Sequence, residues 1–337
     1  MMTTKICPTD KILNPLTNRC VSKTGVIGKK LLANKNSKCK SNFMSWENNS
    51  CYLDSLLVAL FNKKDNFIEK YLLNAHINDY GSRTLNELGN KIKQELINIY
   101  KTISGIESDK KKYTCVNFRK LLNDYYEIIK HKFKLIGKND NWTTSQNDVF
   151  ELLELLFKIF NVKSTNKIVD ANNPPIMTNF VNMIPIDFIM DDSKEVKISD
   201  IYPSFEVVYH LTDKNAYIDA YGRKHTTYKK KTEILKAEKL FIRVPRVMGS
   251  MKLKTRVIPS SSLRFKEGDK LYLNSIIVHY GSSKGGHYIC LFKCEGSWYE
   301  YDDMASKIQK IGSLNTIIKN RKYCSNLVGM VYSKIYK

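Results

Sequence analysis

Three polar side chains sit where they could attack a carbonyl or move a proton. Cys51 lies in NNSCYLDSLLVALF, where Asn49 or Ser50 can cap a helix that the cysteine then opens. A helix start presents unpaired backbone N–H groups and the positive end of the macrodipole, and both favour a thiolate. A free thiol titrates near ~8.5, so without such help only a small fraction is nucleophilic at neutral pH. Taken alone, the segment also fits a cysteine that merely begins an apolar helix and packs.

His287 follows Gly285-Gly286 and opens the strand-like run HYICLF. Two glycines remove side-chain bulk, which would let a substrate backbone approach the imidazole. An outgoing strand, a turn at Glu295-Gly296 and a return through Trp298 and Tyr301 would bring Asp302 back beside the His287 ring. A carboxylate there fixes the histidine tautomer and stabilises the imidazolium. Of the 6 histidines only His287 has this setting, and His279, inside IIVHY, reads as a packed strand residue. Asp303 is a second candidate orienter. Neighbours on a strand point to opposite faces, so only one of the two aspartates is expected to touch the histidine. The chemistry implied is acyl transfer to a thiol.

The elements that must bring these residues together fall into two halves. Leu53, Leu56, Leu57, Leu60 and Phe61 recur at helical spacing on one face of a helix beginning near Cys51. The same period runs through Leu85, Leu88, Ile92, Leu96 and Ile99, through Phe118, Leu121, Leu122, Tyr125 and Ile129, and from Val149 to Phe160. After about residue 180 the pattern becomes short β-rich runs, among them FEVVYHL, KLFIRVPR, YLNSIIVHY, HYICLFKC, SWYEYD and LVGMVYS. Helices first and an antiparallel sheet later indicate an α+β enzyme, not a parallel α/β fold. Neither a P-loop nor a dinucleotide-binding glycine fingerprint occurs.

Composition narrows the field. The chain has 337 residues with 42% hydrophobic content, enough for a substantial core. No run approaches the ~18 to 20 apolar residues that cross a bilayer, and the N-terminus has no apolar core of a secretory signal, so no membrane partner is expected. The net charge of +22 invites a nucleic-acid reading. Lysine outnumbers arginine about five to one, however, and arginine is the residue that reads phosphates and base edges bidentately. Nucleic acid is therefore not expected as a partner. The 8 cysteines form no CxxC pair, so a zinc ribbon is not expected, and the natural compartment is a reducing cytoplasm with most cysteines buried as thiols.

Three segments together carry a family resemblance. NNSCYLDSLLVALF is similar to the cysteine motif GNTCYxNSxLQxLF of the ubiquitin-specific proteases. YLNSIIVHYGSSKGGHYICLF followed by WYEYDD resembles their histidine motif, and Gln146, Asp148, Glu151, Leu152 and Leu153 meet their middle motif QxDxxEFLxxLL. The resemblance covers about residues 41–337. It implies a papain-like cysteine protease fold with a helical thumb, an antiparallel β palm and fingers, and the triad Cys51, His287 and Asp302 in the cleft. It implies ubiquitin or ubiquitinated proteins as partners, cleavage after the C-terminal glycine of ubiquitin, and no cofactor. Gln146, Asp148 and Gly286 become substrate-binding candidates, with Asp148 matching the acid that pairs with arginine in the ubiquitin tail.

Two departures qualify it. Where the family carries an oxyanion-stabilising asparagine five residues before the cysteine, this chain has Trp46, so Asn48 and Asn49 are the substitute candidates, beside the Cys51 N–H. The tryptophan and the CYLD sequence also resemble a divergent branch acting on SUMO, which leaves that modifier, or a catalytically weak ubiquitin-binding scaffold, as the alternatives. No cysteine lies between Cys115 and Cys290, so the fingers are expected to be reduced and zinc-free, with no metal in the protein. Residues 1–40, with Cys7 and Cys20 around Asn14-Pro15-Leu16-Thr17-Asn18, resemble a two-cysteine adaptor of large DNA viruses. That likeness implies a viral origin, a separate module ahead of a 41–337 catalytic domain, a viral or host docking partner, and a place in host cytoplasm or virion.

Overall fold

A computed structural model describes residues 7–14, 19–29, 44–63, 66–104, 113–133, 141–162, 167–170, 177–178, 183–185, 195–201, 204–210, 217–218, 222, 224–225, 227–248, 251–265, 270–282, 285–305 and 307–334. The α+β order expected from the sequence is present. Helices Cys51–Phe61, Arg83–Ile103, Val116–Phe133 and Val149–Ile159 precede an 8-stranded sheet.

The sheet runs Gln309–Gly312, Ser297–Tyr301, Gly286–Cys294, Lys270–Gly281, Leu327–Ser333, Lys239–Arg243, Met183–Pro185, with Ser262–Arg264 also pairing Lys270–Gly281. Its pairs are antiparallel except that of Lys239–Arg243 with Met183–Pro185. Both faces are buried, and the two-residue period of a strand sorts the side chains between them. Tyr288, Cys290 and Phe292 face the helical layer, whereas Ile289 and Leu291 enter a second cluster with Trp298, Met330 and Ile317.

The helix Cys51–Phe61 departs from the one-faced reading. All 11 of its residues are buried, because it is wedged between the sheet and the helices Arg83–Ile103 and Val149–Ile159. Burying each Leu or Phe side chain contributes roughly 1.5–3 kcal/mol, which sets this helix firmly in the core. Its far end is tied down as well. The Asn62 amide donates to the carbonyls of Val58 at 2.8 Å and Ala59 at 3.2 Å and to Ser275 Oγ at 2.8 Å, joining helix to strand. The helix Val149–Ile159 stops one residue short of the expected Phe160, which serves as its C-cap.

The N-terminal segment holds a hairpin of Lys11–Asn14 and Arg19–Ser22. Its flanking Cys7 and Cys20 lie with Cα atoms 5.7 Å apart and form a disulfide. The expectation that most cysteines are buried thiols does not extend to this pair: the chain reversal of the hairpin brings the two sulfurs within bonding range. Cys294 is disulfide-bonded too, while Cys51, Cys115, Cys290 and Cys324 are buried free thiols as expected. The turn residues 15–18 and Cys39 fall outside the described residues. A separate sheet is built from Lys167–Asp170, Met177–Thr178, Ser204–His210 and Thr227–Lys236. No helix among the described residues is long and apolar enough to cross a membrane.

Candidate active site

Cys51 is the first residue of its helix and only 2% exposed. The chain reaches it through two consecutive left-handed residues, Asn48 at φ 46° and Asn49 at φ 64°, a conformation asparagine tolerates better than most residues. Ser50 stands at the N-cap, but its hydroxyl does not cap the helix. Its Oγ accepts from the Glu47 N–H at 3.0 Å and donates to Asp54 Oδ2 at 2.6 Å, bracing the loop from within. Arg119, 2% exposed, holds the same loop by donating to the Glu47 carbonyl at 2.9 Å and to the Trp142 carbonyl at 2.7 Å.

The strand Gly286–Cys294 and its return Ser297–Tyr301 form the expected hairpin, with Cys290 opposite Tyr301. Asp302 then leaves the strand and returns to the histidine: His287 Nε2 lies 2.8 Å from Asp302 Oδ1. The same oxygen accepts from the Met304 N–H at 2.9 Å, which fixes the carboxylate. With Nε2 engaged by Asp302, the other ring nitrogen is open, and the Cys51 side chain is near enough to act on the imidazole. Burial alone would lower the His287 pKa. The Asp302 and Cys51 hydrogen bonds, with the charges of Asp302 and Asp303, outweigh it and raise the value to about 10. The hydrogen bond from His287 holds Asp302 below the usual carboxylate range despite partial burial. A histidine so surrounded binds a proton more firmly than a free imidazole.

The expectation that one aspartate alone would approach the histidine is corrected. Asp303 Oδ1 is 3.7 Å from the same Nε2. The alternation rule does not reach these residues because the strand ends at Tyr301, and the following turn lets both carboxyls face the ring. His287, Asp302 and Asp303 offer donor atoms within 4.8 Å of one another, a grouping able to hold a metal ion. Within that grouping Nε2 and Asp302 Oδ1 are joined to each other at 2.8 Å.

Gln146 is brought to the histidine strand. Its side chain accepts from the Gly286 N–H at 2.8 Å and donates to the Gly286 carbonyl. Gly286 is glycine for a reason different from the one expected. A Cβ there would lie 1.9 Å from the Tyr280 carbonyl oxygen and 2.6 Å from His279 Nε2, so the missing side chain makes room for the neighbouring strand. His279 is packed as expected, its ring 4.4 Å from that of Tyr288 and its pKa lowered to about 4 by burial and by the Lys252 charge.

Asp148 caps the helix Val149–Ile159, its Oδ1 accepting from Phe150 N–H at 2.8 Å and Glu151 N–H at 3.2 Å. Its other oxygen lies 3.6 Å from Arg243 Nη2. Both line a pocket that continues past Gln146, Val247 and Lys252 to Gly285 and Tyr288, two residues before and one residue after His287. Of the oxyanion candidates, Asn49 donates its amide to the Thr144 carbonyl at 3.0 Å, and Asn48 is exposed. Trp46 is 41% exposed. Sequence reasoning passed over Asp54 and Arg119 and took Ser50 only as a possible helix cap. The available signal was an acid inside an otherwise apolar helical run.

A thiol at a buried helix start, an imidazole opening a sheet strand and a carboxylate behind it, in an α+β frame, are the parts that a cysteine-type hydrolase needs. The family model described as ubiquitin carboxyl-terminal hydrolase matches residues 45–324, and the chain belongs to that family. Members of the family are cysteine-type ubiquitin hydrolases, and ubiquitin or a ubiquitinated protein is the substrate that membership implies. No curated protein matches the chain.

Proposed function

We propose that the chain hydrolyses isopeptide bonds at the C-terminal glycine of ubiquitin, with Cys51 as nucleophile, His287 as base and Asp302 as the orienting carboxylate. The observation that carries the reading is the 2.8 Å contact between His287 Nε2 and Asp302 Oδ1, with the Cys51 side chain near enough to act on the same ring. His287 Nδ1 takes the Cys51 proton, and the thiolate adds to the glycine carbonyl. The tetrahedral adduct collapses as the imidazolium returns the proton to the departing lysine amine. Water then attacks the thioester with His287 as base, freeing the glycine carboxylate and the thiol.

The near-complete burial of Cys51 supports a substrate without side chains at the scissile end, which a Gly-Gly tail provides. The Cys51 N–H at the helix start is the oxyanion donor, with Asn48 and Asn49 shaping the loop that delivers it. Gln146 and Gly286 set the wall of the tail channel, and Asp148 receives an arginine of the tail in exchange for Arg243. The sheet containing Thr227–Lys236 corresponds to fingers, which lack cysteine ligands for zinc because none occurs between Cys115 and Cys290. Residues 1–40 form a separate docking module, and the chain acts in host cytoplasm if its origin is viral.

Incubation with matched ubiquitin and SUMO C-terminal electrophiles tests the reading. A ubiquitin adduct on wild type that disappears in Cys51→Ala supports it. Exclusive reaction with the SUMO probe would transfer the same chemistry to that modifier. Ubiquitin binding with no adduct would mark a scaffold and overturn the proposal.

A further inference from the structure

Asp54 and Asp303 are two buried carboxyls in contact, and the chemistry assigned so far uses neither. Asp54, in the first turn of the nucleophile helix, is 0% exposed, and the Asp303 side chain is 1% exposed. Each is near enough to act on the ionisation of the other, and Cys115 lies near enough to act on Asp54. Of their four oxygens only Asp54 Oδ2 has a conventional donor, the Ser50 hydroxyl at 2.6 Å. Asp54 Oδ1 and both Asp303 oxygens are sealed from solvent with no such partner. Two carboxylates in contact in a dry interior cannot both be ionised, since each would destabilise the charge of the other. A proton between them satisfies both at once.

The surroundings decide where it rests. Asp303 faces His287 Nε2 at 3.7 Å and the charge of Asp302, while Asp54 lies deeper, among Ser50, Cys115, Tyr52 and Tyr301. Arg119, which acts on Tyr52 and Cys115, is the cation on the helical side. The imidazolium favours the negative charge on Asp303, and burial favours the neutral acid at Asp54.

We infer that Asp54 and Asp303 share a single proton, held on Asp54 and donated to Asp303, and that this pair positions the catalytic groups from beneath. Asp303 belongs to the turn that carries Asp302. Asp54 is linked through Ser50 Oγ to the Glu47 N–H, at 2.6 Å and 3.0 Å, and so to the loop that delivers Cys51. The chain Asp303, Asp54, Ser50, Glu47 joins the histidine side of the cleft to the cysteine side without touching substrate. Its positioning role rests on the reading of Cys51, His287 and Asp302 given above, whereas the shared proton does not.

Infrared difference spectroscopy of wild type against Asp54→Asn separates the two. The wild-type protein should show the carbonyl band of a buried protonated carboxyl at neutral pH, and Asp54→Asn should lack it. A wild type without that band, or one whose band survives in Asp54→Asn, overturns the proposal even if the enzyme is a deubiquitinase. Loss of activity toward the ubiquitin probe with the band intact would instead count against the functional reading alone. On the kinetic side, Asp54→Leu, which has similar volume and no donor, should lower kcat by about tenfold or more with KM little changed, since it leaves Asp303 unpaired. Asp54→Asn supplies a permanent N–H donor and should recover most of that loss. Equal kcat in the Leu and Asn variants would refute the positioning role. Should Asp54→Leu fail to fold, the infrared comparison decides.

Discussion

Gln146 and Gly286 pair as two strands would: the side-chain amide accepts from the Gly286 N–H at 2.8 Å and donates to its carbonyl. One residue later the chain is His287, so the middle segment of the protein anchors the start of the strand that carries the proposed base. Gln146→Ala should lower kcat/KM by about 10²-fold, because small displacements of a reacting group are amplified in rate, while costing only about 1–3 kcal/mol in stability. Gln146→Glu keeps the acceptor but places a carboxylate against the Gly286 carbonyl, and it should be no better than alanine. Steady-state kinetics alongside thermal unfolding check this, and a Glu variant with wild-type activity would contradict it.

The two glycines before His287 should respond unequally to a methyl group. At Gly286 an added Cβ meets the Tyr280 carbonyl oxygen at 1.9 Å, and backbone cannot yield without separating the strands Lys270–Gly281 and Gly286–Cys294. At Gly285 the nearest atom is Gln146 Oε1 at 3.2 Å, a side chain that can shift by a few tenths of an ångström. Gly286→Ala should cost about 1–3 kcal/mol or more and abolish most activity, and Gly285→Ala should remain folded and active. If the two variants unfold at the same temperature, the close approach at Gly286 is not what requires glycine there.

Much of this arrangement was legible from residue order. The periodicity of Leu85 to Ile99 marked a helix because one side of it stays in solvent, and the Glu295-Gly296 break marked the hairpin that returns Asp302 to His287. What escaped was three-dimensional in origin. The helix Cys51–Phe61 read as one-faced because Asp54 and Ser55 are polar, yet it is buried all round, and a polar residue in such a helix is visible only through its partner across the fold. Asp303 was set aside by a strand rule that lapses one residue earlier, where the strand ends. Gly286 was assigned to substrate access, since sequence alone cannot tell which backbone fills the space a glycine leaves. The Cys7–Cys20 bond depends on a hairpin whose closure no spacing rule specifies.

The protonation of His287 should track its two partners separately. Its folded pKa is raised, to about 10, so the stability this adds is fully present below the unfolded value of about 6.5 and is lost as pH rises through about 10. Asp302 is depressed, so its contribution is present above the usual carboxylate range and is lost as pH falls through the lower folded value. Removing the thiol in Cys51→Ala should lower the histidine midpoint, and Asp302→Asn should lower it further, because burial then acts with less opposition. NMR titration of the ring resonances gives the order directly. Asp302→Asn should also reduce kcat by about 10² to 10⁴. An unmoved midpoint in Asp302→Asn would remove the basis for assigning that residue to the base.

Asp148 has a structural duty and a proposed binding duty, and two substitutions separate them. Its Oδ1 caps the helix Val149–Ile159 through the Phe150 and Glu151 N–H groups, while the other oxygen faces Arg243 at 3.6 Å inside the pocket. Asparagine is as good an N-cap as aspartate, so Asp148→Asn should leave stability nearly unchanged. It removes the charge that would draw an arginine of the ubiquitin tail away from Arg243, so KM for a ubiquitin substrate should rise while kcat changes little. Asp148→Ala loses the cap as well and should be less stable by about 1 kcal/mol. Arg243→Ala frees the carboxylate and should lower KM, unless loss of its stacking over Phe150 loosens the pocket wall, which thermal unfolding would reveal. If Asp148→Asn binds and cleaves the ubiquitin substrate as wild type does, the carboxylate is a helix cap and the tail is received elsewhere.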